Sequence, residues 1–149
     1  MHPTLSVEKG RFMLRYSGGF LAIMLAACAS PPPAKPQVDI AGLPSPLEAG
    51  WKGQKVCEVL QDNAEVRVLR CTFLPGVGHE RHFHAPHFGY AITGGKVHIK
   101  DASGERDAVT PDGYSWWTPD YTIHENRNIG DTTMVYLIVE PKSAQKRKP

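Results

Sequence analysis

The chain has 149 residues, with 17 lysines and arginines against 15 acidic residues, and 41% of it is hydrophobic. That length holds one domain with a real core and not two. The small basic surplus sits at the ends, in Lys9, Arg11 and Arg15 and in Lys142, Lys146, Arg147 and Lys148, over a mildly acidic body. This distribution argues against nucleic acid as a partner.

Residues 1–27 have the three parts of a bacterial export signal: the basic start, the apolar run from Gly18 to Ala27, and the closing Leu25-Ala26-Ala27-Cys28. The apolar run is too short to span a bilayer as a stable helix. The closing tetrapeptide resembles a lipobox. That resemblance implies cleavage before Cys28, lipid on its sulfur and new amino terminus, and a mature protein anchored to a membrane without spanning it. The competing reading is an ordinary signal followed by a buried or bridged cysteine. The expected location is the bacterial cell envelope, on its periplasmic side. Ala29, which is not aspartate, favours the outer membrane if the cell is Gram-negative.

Residues 28–50 read as the lipidated cysteine, a proline-dense tether from Ser30 to Pro36, and an irregular lead-in. Regular structure follows over 51–141, and 142–149 reads as a basic disordered tail. Short strands are expected at 55–60, 66–73, 81–84, 88–93, 96–100, 105–109, 114–117, 122–126 and 133–139. Turn signals separate them at Asp62-Asn63, Pro75-Gly76, Gly94-Gly95, Ser103-Gly104, Asp112-Gly113 and Gly130-Asp131. No helical period appears. The class is all-β, a single antiparallel β-barrel or jelly roll.

Export permits a disulfide, and Cys57 and Cys71 are equidistant from Ala64 in the expected hairpin, so they face each other across it. A bridge is one reading. Two separately buried thiols is the other.

Four of the seven histidines, His79, His82, His84 and His87, fall within nine residues, and His124 follows in PDYTIHENRN. His82 and His84 are two apart, so on a strand they leave the same face and converge on one ion. His98 alternates with Val97 and Ile99, which places it outward with Lys96 and Lys100.

These residues resemble the two motifs of the cupin superfamily, small β-barrels with a jelly-roll, double-stranded β-helix fold that hold a metal between their sheets. Gly76, His82, His84 and Gly94 match the first motif, and Gly113, Pro119, His124 and Asn128 match the second. Two positions depart: His87 stands in place of the usual glutamate, one residue early, and Tyr121 replaces a glycine. The resemblance spans about residues 55–140. It implies that His82, His84 and His124 are ligands and puts His87 at the carboxylate position, where it either completes the set or, turned away by the short spacing and Pro86, leaves a three-histidine site. An imidazole in place of an anionic oxygen disfavours magnesium and calcium and suits one divalent transition metal from iron, zinc, nickel, copper or manganese, iron or zinc above the rest. His79 is expected on the rim or as a supporting donor behind a ligand, and Glu80 as a carboxylate orienting a ligand imidazole.

Phe83, Phe88, Tyr90, Trp116 and Tyr121 supply aromatic surface, either as core filling or as a pocket for a small organic ligand. Of Trp116 and Trp117, adjacent in a strand, one faces in and the other out. No nucleophile with a paired base stands out, which argues against covalent hydrolase chemistry. Two functions remain in view. One is a metal-dependent enzyme, dioxygenase-like by analogy with three-histidine cupins, or isomerase-like. The other is a non-catalytic lipoprotein module that captures a metal or small ligand. The family's habit of pairing barrels implies a homodimer.

Overall fold

The structure, a computed structural model, describes residues 38–145. The export signal, Cys28, the tether and the last four residues lie outside the described residues.

Among the described residues nine strands run in chain order: β1 Cys57–Asp62, β2 Val66–Phe73, β3 Gly78–His84, β4 His87–Thr93, β5 Gly95–Asp101, β6 Gly104–Thr110, β7 Ser115–Thr118, β8 Thr122–Asn128 and β9 Met134–Pro141. They form two sheets, ordered β1-β2-β9-β4-β7 and β3-β8-β5-β6, with every pairing antiparallel. This is a jelly roll. The sheets do not close into one hydrogen-bonded barrel, and one of the crossings between them, from β3 to β4, is made at Ala85-Pro86. Proline has no N–H to continue a ladder.

Turn chemistry sets the hairpins. Asn63 Oδ1 accepts from the N–H groups of Glu65 and Val66 at 2.8 and 2.9 Å, closing β1 onto β2. Cys57 and Cys71 meet at paired positions of that hairpin and form a disulfide. The core lies between the sheets, where Leu69, Phe73, Tyr136 and Ile138 from one sheet meet Val97 and Ile99 from the other. On β5 the alternation places His98 outward, its Nδ1 2.6 Å from Asp107. Gly89 on β4 pairs with Trp116 on β7, and a Cβ there would run into the indole ring. Glycine at this position is what lets Trp116 lie flat over β4.

The lead-in seals an edge. The N–H groups of Glu80 and Phe83 on edge strand β3 donate to the carbonyls of Gly50 and Pro44 at 2.8 and 3.1 Å. The far end differs from a wholly disordered tail, since residues Lys142–Gln145 form a helical turn, α1. Lys142 donates its N–H to the Glu65 carbonyl at 2.8 Å and pairs with Asp62 at 2.7 Å. Those two contacts tie the turn to the β1–β2 hairpin. Among the described residues no helix is long and apolar enough to cross a membrane.

Candidate metal site

Three imidazoles converge on the inner face of the four-stranded sheet. His82 and His84 share one face of β3, and His124 on β8 pairs directly with His82. Their ligand nitrogens all lie within 4.8 Å of one another. The ring centroids are 4.7 Å apart for His82–His84, 4.7 Å for His82–His124 and 5.0 Å for His84–His124.

Local hydrogen bonds fix how the rings face. His82 donates Nδ1–H to the Glu80 carbonyl at 2.6 Å, which leaves the Nε2 lone pair for the centre of the group. His124 Nε2 is enclosed and has no hydrogen-bond partner among the described residues. An enclosed ring nitrogen without a partner is what a cation would satisfy once that nitrogen presents its lone pair. All three rings are held neutral. Burial lowers His82 to about 4, burial and the neighbouring His82 lower His124 to about 3, and burial with the His124 and His82 rings puts His84 well below its usual value. Neutral imidazole is the form that binds metal. These three imidazoles could therefore hold one metal ion, and an all-nitrogen donor set suits a transition metal.

His87 stands outside this group. It opens β4 on the facing sheet, donates Nδ1–H to the Ala85 carbonyl at 2.8 Å, and lies 4.8 Å from His84 between ring centroids. The short Ala85-Pro86 link carries the chain across to the other sheet before His87, so the residue expected as a fourth ligand faces the group of three from the opposite wall. His79 is not on the rim. It is 1% exposed and stacks on His82 at 3.7 Å, with Nε2–H donating to the Pro46 carbonyl at 3.1 Å. The cause is a bulge in β3 between His79 and His82, which turns two residues three apart onto the same inner face. The Glu80 carboxylate points away to accept the Lys52 N–H at 2.9 Å, so its backbone carbonyl, not its side chain, orients His82.

A cavity of about 350 Å³ opens beside the triad, lined by the histidines His84, His124 and His87 and by the aromatics Phe73, Tyr114, Trp116 and Tyr136. Trp116 packs edge-on against Tyr136 at 5.8 Å and stacks with Tyr114 at 5.9 Å. Of the five aromatics expected in a pocket, only Trp116 lines this one. Phe88 and Tyr90 alternate with inward His87, Gly89 and Ala91 and therefore face solvent. Phe83 points away from His82 and His84 toward Tyr121, at 6.2 Å between rings. Tyr121 is buried there, its O–H donating to the Gln145 carbonyl at 3.5 Å. Arg106, on the inner face of edge strand β6, adds a cation to the cavity and pairs with Asp101 at 2.8 Å.

Sequence reasoning missed Tyr136 and Glu140, although β9 alternates cleanly, with Met134, Tyr136, Ile138 and Glu140 inward. Glu140 is wholly buried, with Oε2 held by Arg67 Nη2 at 2.6 Å and Arg67 Nε at 2.7 Å. Burial raises its carboxyl, and the Arg67 cation opposes that rise.

These histidines make the metal-free fold acid-sensitive. His79, held at about 3 by burial and by His82, joins His82 and His124 in having a folded value below the unfolded 6.5. Between pH 6.5 and about 4 the unfolded chain takes up protons that the fold refuses, so stability falls as pH falls, by about 1.4 kcal/mol per pH unit for each ring. Glu140 acts oppositely, since a raised carboxyl loses stability as pH rises through 4.5 toward its folded value. Denaturant titration of the chelator-treated chain is expected to show lower stability at pH 5.5 than at pH 7.5. Equal stability at the two values would contradict the buried, neutral rings.

No protein-family model and no curated protein matches the chain. Solved structures do, and they define its class: this is the double-stranded β-helix fold of cupin domains. A cupin domain from Bordetella pertussis Tohama I is 25% identical, with a TM-score of 0.55 over 58% of this chain and 91% of that one. The polyketide cyclase RemF from Streptomyces resistomycificus is 18% identical, with a TM-score of 0.51 over 72% and 80%. An RmlC-like cupin family protein from Methanocaldococcus jannaschii is 14% identical, with a TM-score of 0.50 over 64% and 88%.

Proposed function

We propose that the protein is a lipid-anchored envelope enzyme that holds one divalent transition metal, iron or zinc above the others, through His82, His84 and His124 and transforms a small organic molecule. The observation that carries this reading is the cavity beside the triad: two of the three imidazoles of the group, His84 and His124, line it. A purely structural site would be closed by a fourth ligand, whereas here the fourth histidine, His87, keeps to the opposite sheet. The aromatic walls suit a flat or unsaturated substrate body, and Arg106 suits an anionic group on it. Metal bound at the triad supplies charge to polarise a substrate atom or to activate oxygen, which covers both isomerase-like and dioxygenase-like chemistry. His87, with Nδ1 committed to Ala85, has Nε2 left to accept a proton from a molecule in the cavity. That the fold hosts enzymes is supported by the polyketide cyclase among the similar structures.

The anchor at Cys28 and the periplasmic, outer-membrane location rest on the lipobox-like leader. Pairing of two copies is favoured by Phe88, Tyr90, Ile92 and Trp117, which stand exposed on the outer face of the five-stranded sheet. The rival is a non-catalytic lipoprotein module that retains a metal or small ligand. Cobalt(II) loaded into the protein separates the two readings. If a coordination position faces the cavity, azide changes the visible absorption of the cobalt form, and Trp116→Ala or Arg106→Gln alters the azide response. A four-coordinate spectrum insensitive to azide would favour the binding module and contradict the enzyme reading.

A further inference from the structure

Glu140 and His84 present a mismatch that the triad alone does not explain. Arg67 grips only Oε2 of Glu140, and Oε1 is aimed at His84 Nδ1 from 3.9 Å. Both atoms are buried, and neither has a hydrogen-bond partner among the described residues. Two facing polar atoms left idle inside a core are unusual.

The tautomers account for it. His82 donates Nδ1–H to the Glu80 carbonyl, so its neutral ring carries a bare Nε2. His84 Nε2 lies 2.9 Å from that bare nitrogen and so must be the donor of the pair. The proton of His84 is then on Nε2, and its Nδ1 turns a lone pair toward a carboxylate oxygen. Acceptor faces acceptor, and the two atoms stand off.

We propose that Glu140 is a positioning residue that holds His84 in its metal-binding tautomer. The inference rests on the triad reading above. A divalent ion on Nε2 displaces that proton; one proton leaves Nε2, one arrives at Nδ1, and the ring stays neutral. Nδ1–H then faces Glu140 Oε1, and closing a 3.9 Å gap to hydrogen-bond length needs only a small movement of the two side chains. Arg67 keeps the carboxylate oriented from the other side. A metal-bound histidine backed by a carboxylate is a common way to fix ring orientation and raise ligand basicity. Here the motif position that would carry a carboxylate is His87, and β9 supplies a carboxylate behind a ligand, where it steers the imidazole without entering the coordination sphere.

Glu140→Gln tests this sharply, because Arg67 would claim the amide oxygen and leave the NH₂ facing His84. A donor there favours bare Nδ1 and protonated Nε2, the wrong tautomer. On the full chain, zinc affinity measured by chelator competition is expected to fall about 10- to 100-fold in Glu140→Gln. Long-range ¹⁵N NMR of wild type is expected to show the His84 proton on Nε2 without zinc and on Nδ1 with it. Wild-type zinc affinity in folded Glu140→Gln would overturn the proposal, as would a wild-type zinc form whose His84 Nδ1 carries no proton. His124→Ala serves as the control: if it too keeps zinc, the triad reading fails, and if it alone loses zinc, only the role of Glu140 fails.

Discussion

Removing the disulfide with the Cys57→Ala/Cys71→Ala double substitution is expected to cost about 3 kcal/mol of folding stability. The two cysteines are 14 residues apart in sequence, and closing a loop of that size removes chain entropy from the unfolded state. For a domain of this size the loss lowers the midpoint of thermal unfolding by on the order of 10–20 °C. The consequences reach the site. Cys57 Sγ lies 4.0 Å from His79 Nδ1, His79 stacks on His82, and Cys71 lines the cavity. Calorimetry of the double variant beside wild type checks the prediction, with an unchanged midpoint as the contradicting result. Truncating two buried side chains adds to the loss, so the figure is a lower one.

Replacing a ligand has the largest effect expected on metal binding. His124→Ala is expected to weaken zinc or cobalt binding by more than about 100-fold, beyond the range for residues that only support ligands. With His124 gone, two imidazoles of β3 remain, and the partner directly across the sheet from His82 is missing. His87→Ala is expected to bind the same ion within about threefold of wild type, since His87 lies on the other sheet. His98→Ala, a surface change, is expected to have no effect. Competition with a chromophoric chelator measures all three. Equal losses in His124→Ala and His87→Ala would restore the four-histidine arrangement.

Much of this was legible in the residues because the relevant signals are local. Turn residues at Asp62-Asn63, Gly94-Gly95, Ser103-Gly104 and Asp112-Gly113 delimit strands where the structure has them, and the symmetry of the first hairpin about Ala64 aligned Cys57 with Cys71. Period-2 spacing placed His82 with His84 and turned His98 outward. What escaped depends on interruptions of that period or on partners distant in sequence. The bulge in β3 leaves no clear mark in GHERHFH, yet it converts His79 from an outward to an inward residue. The passage from one sheet to the other at Pro86 moved His87 off the triad's sheet. Phe88 and Tyr90 were misread because they flank a histidine-rich segment, although alternation with His87 already sent them outward. Glu140 was readable from β9 as an inward carboxylate; its meaning required knowing that β2 brings Arg67 and β3 brings His84 to the same place.

The most direct test of the account is the metal content of the full chain purified without chelator. About one transition-metal ion per chain is predicted, retained on dialysis, restored after stripping, and lost in His82→Ala. A chain that carries no stoichiometric metal, and takes none up when iron, zinc or cobalt is supplied, would contradict the reading of His82, His84 and His124 as a metal centre.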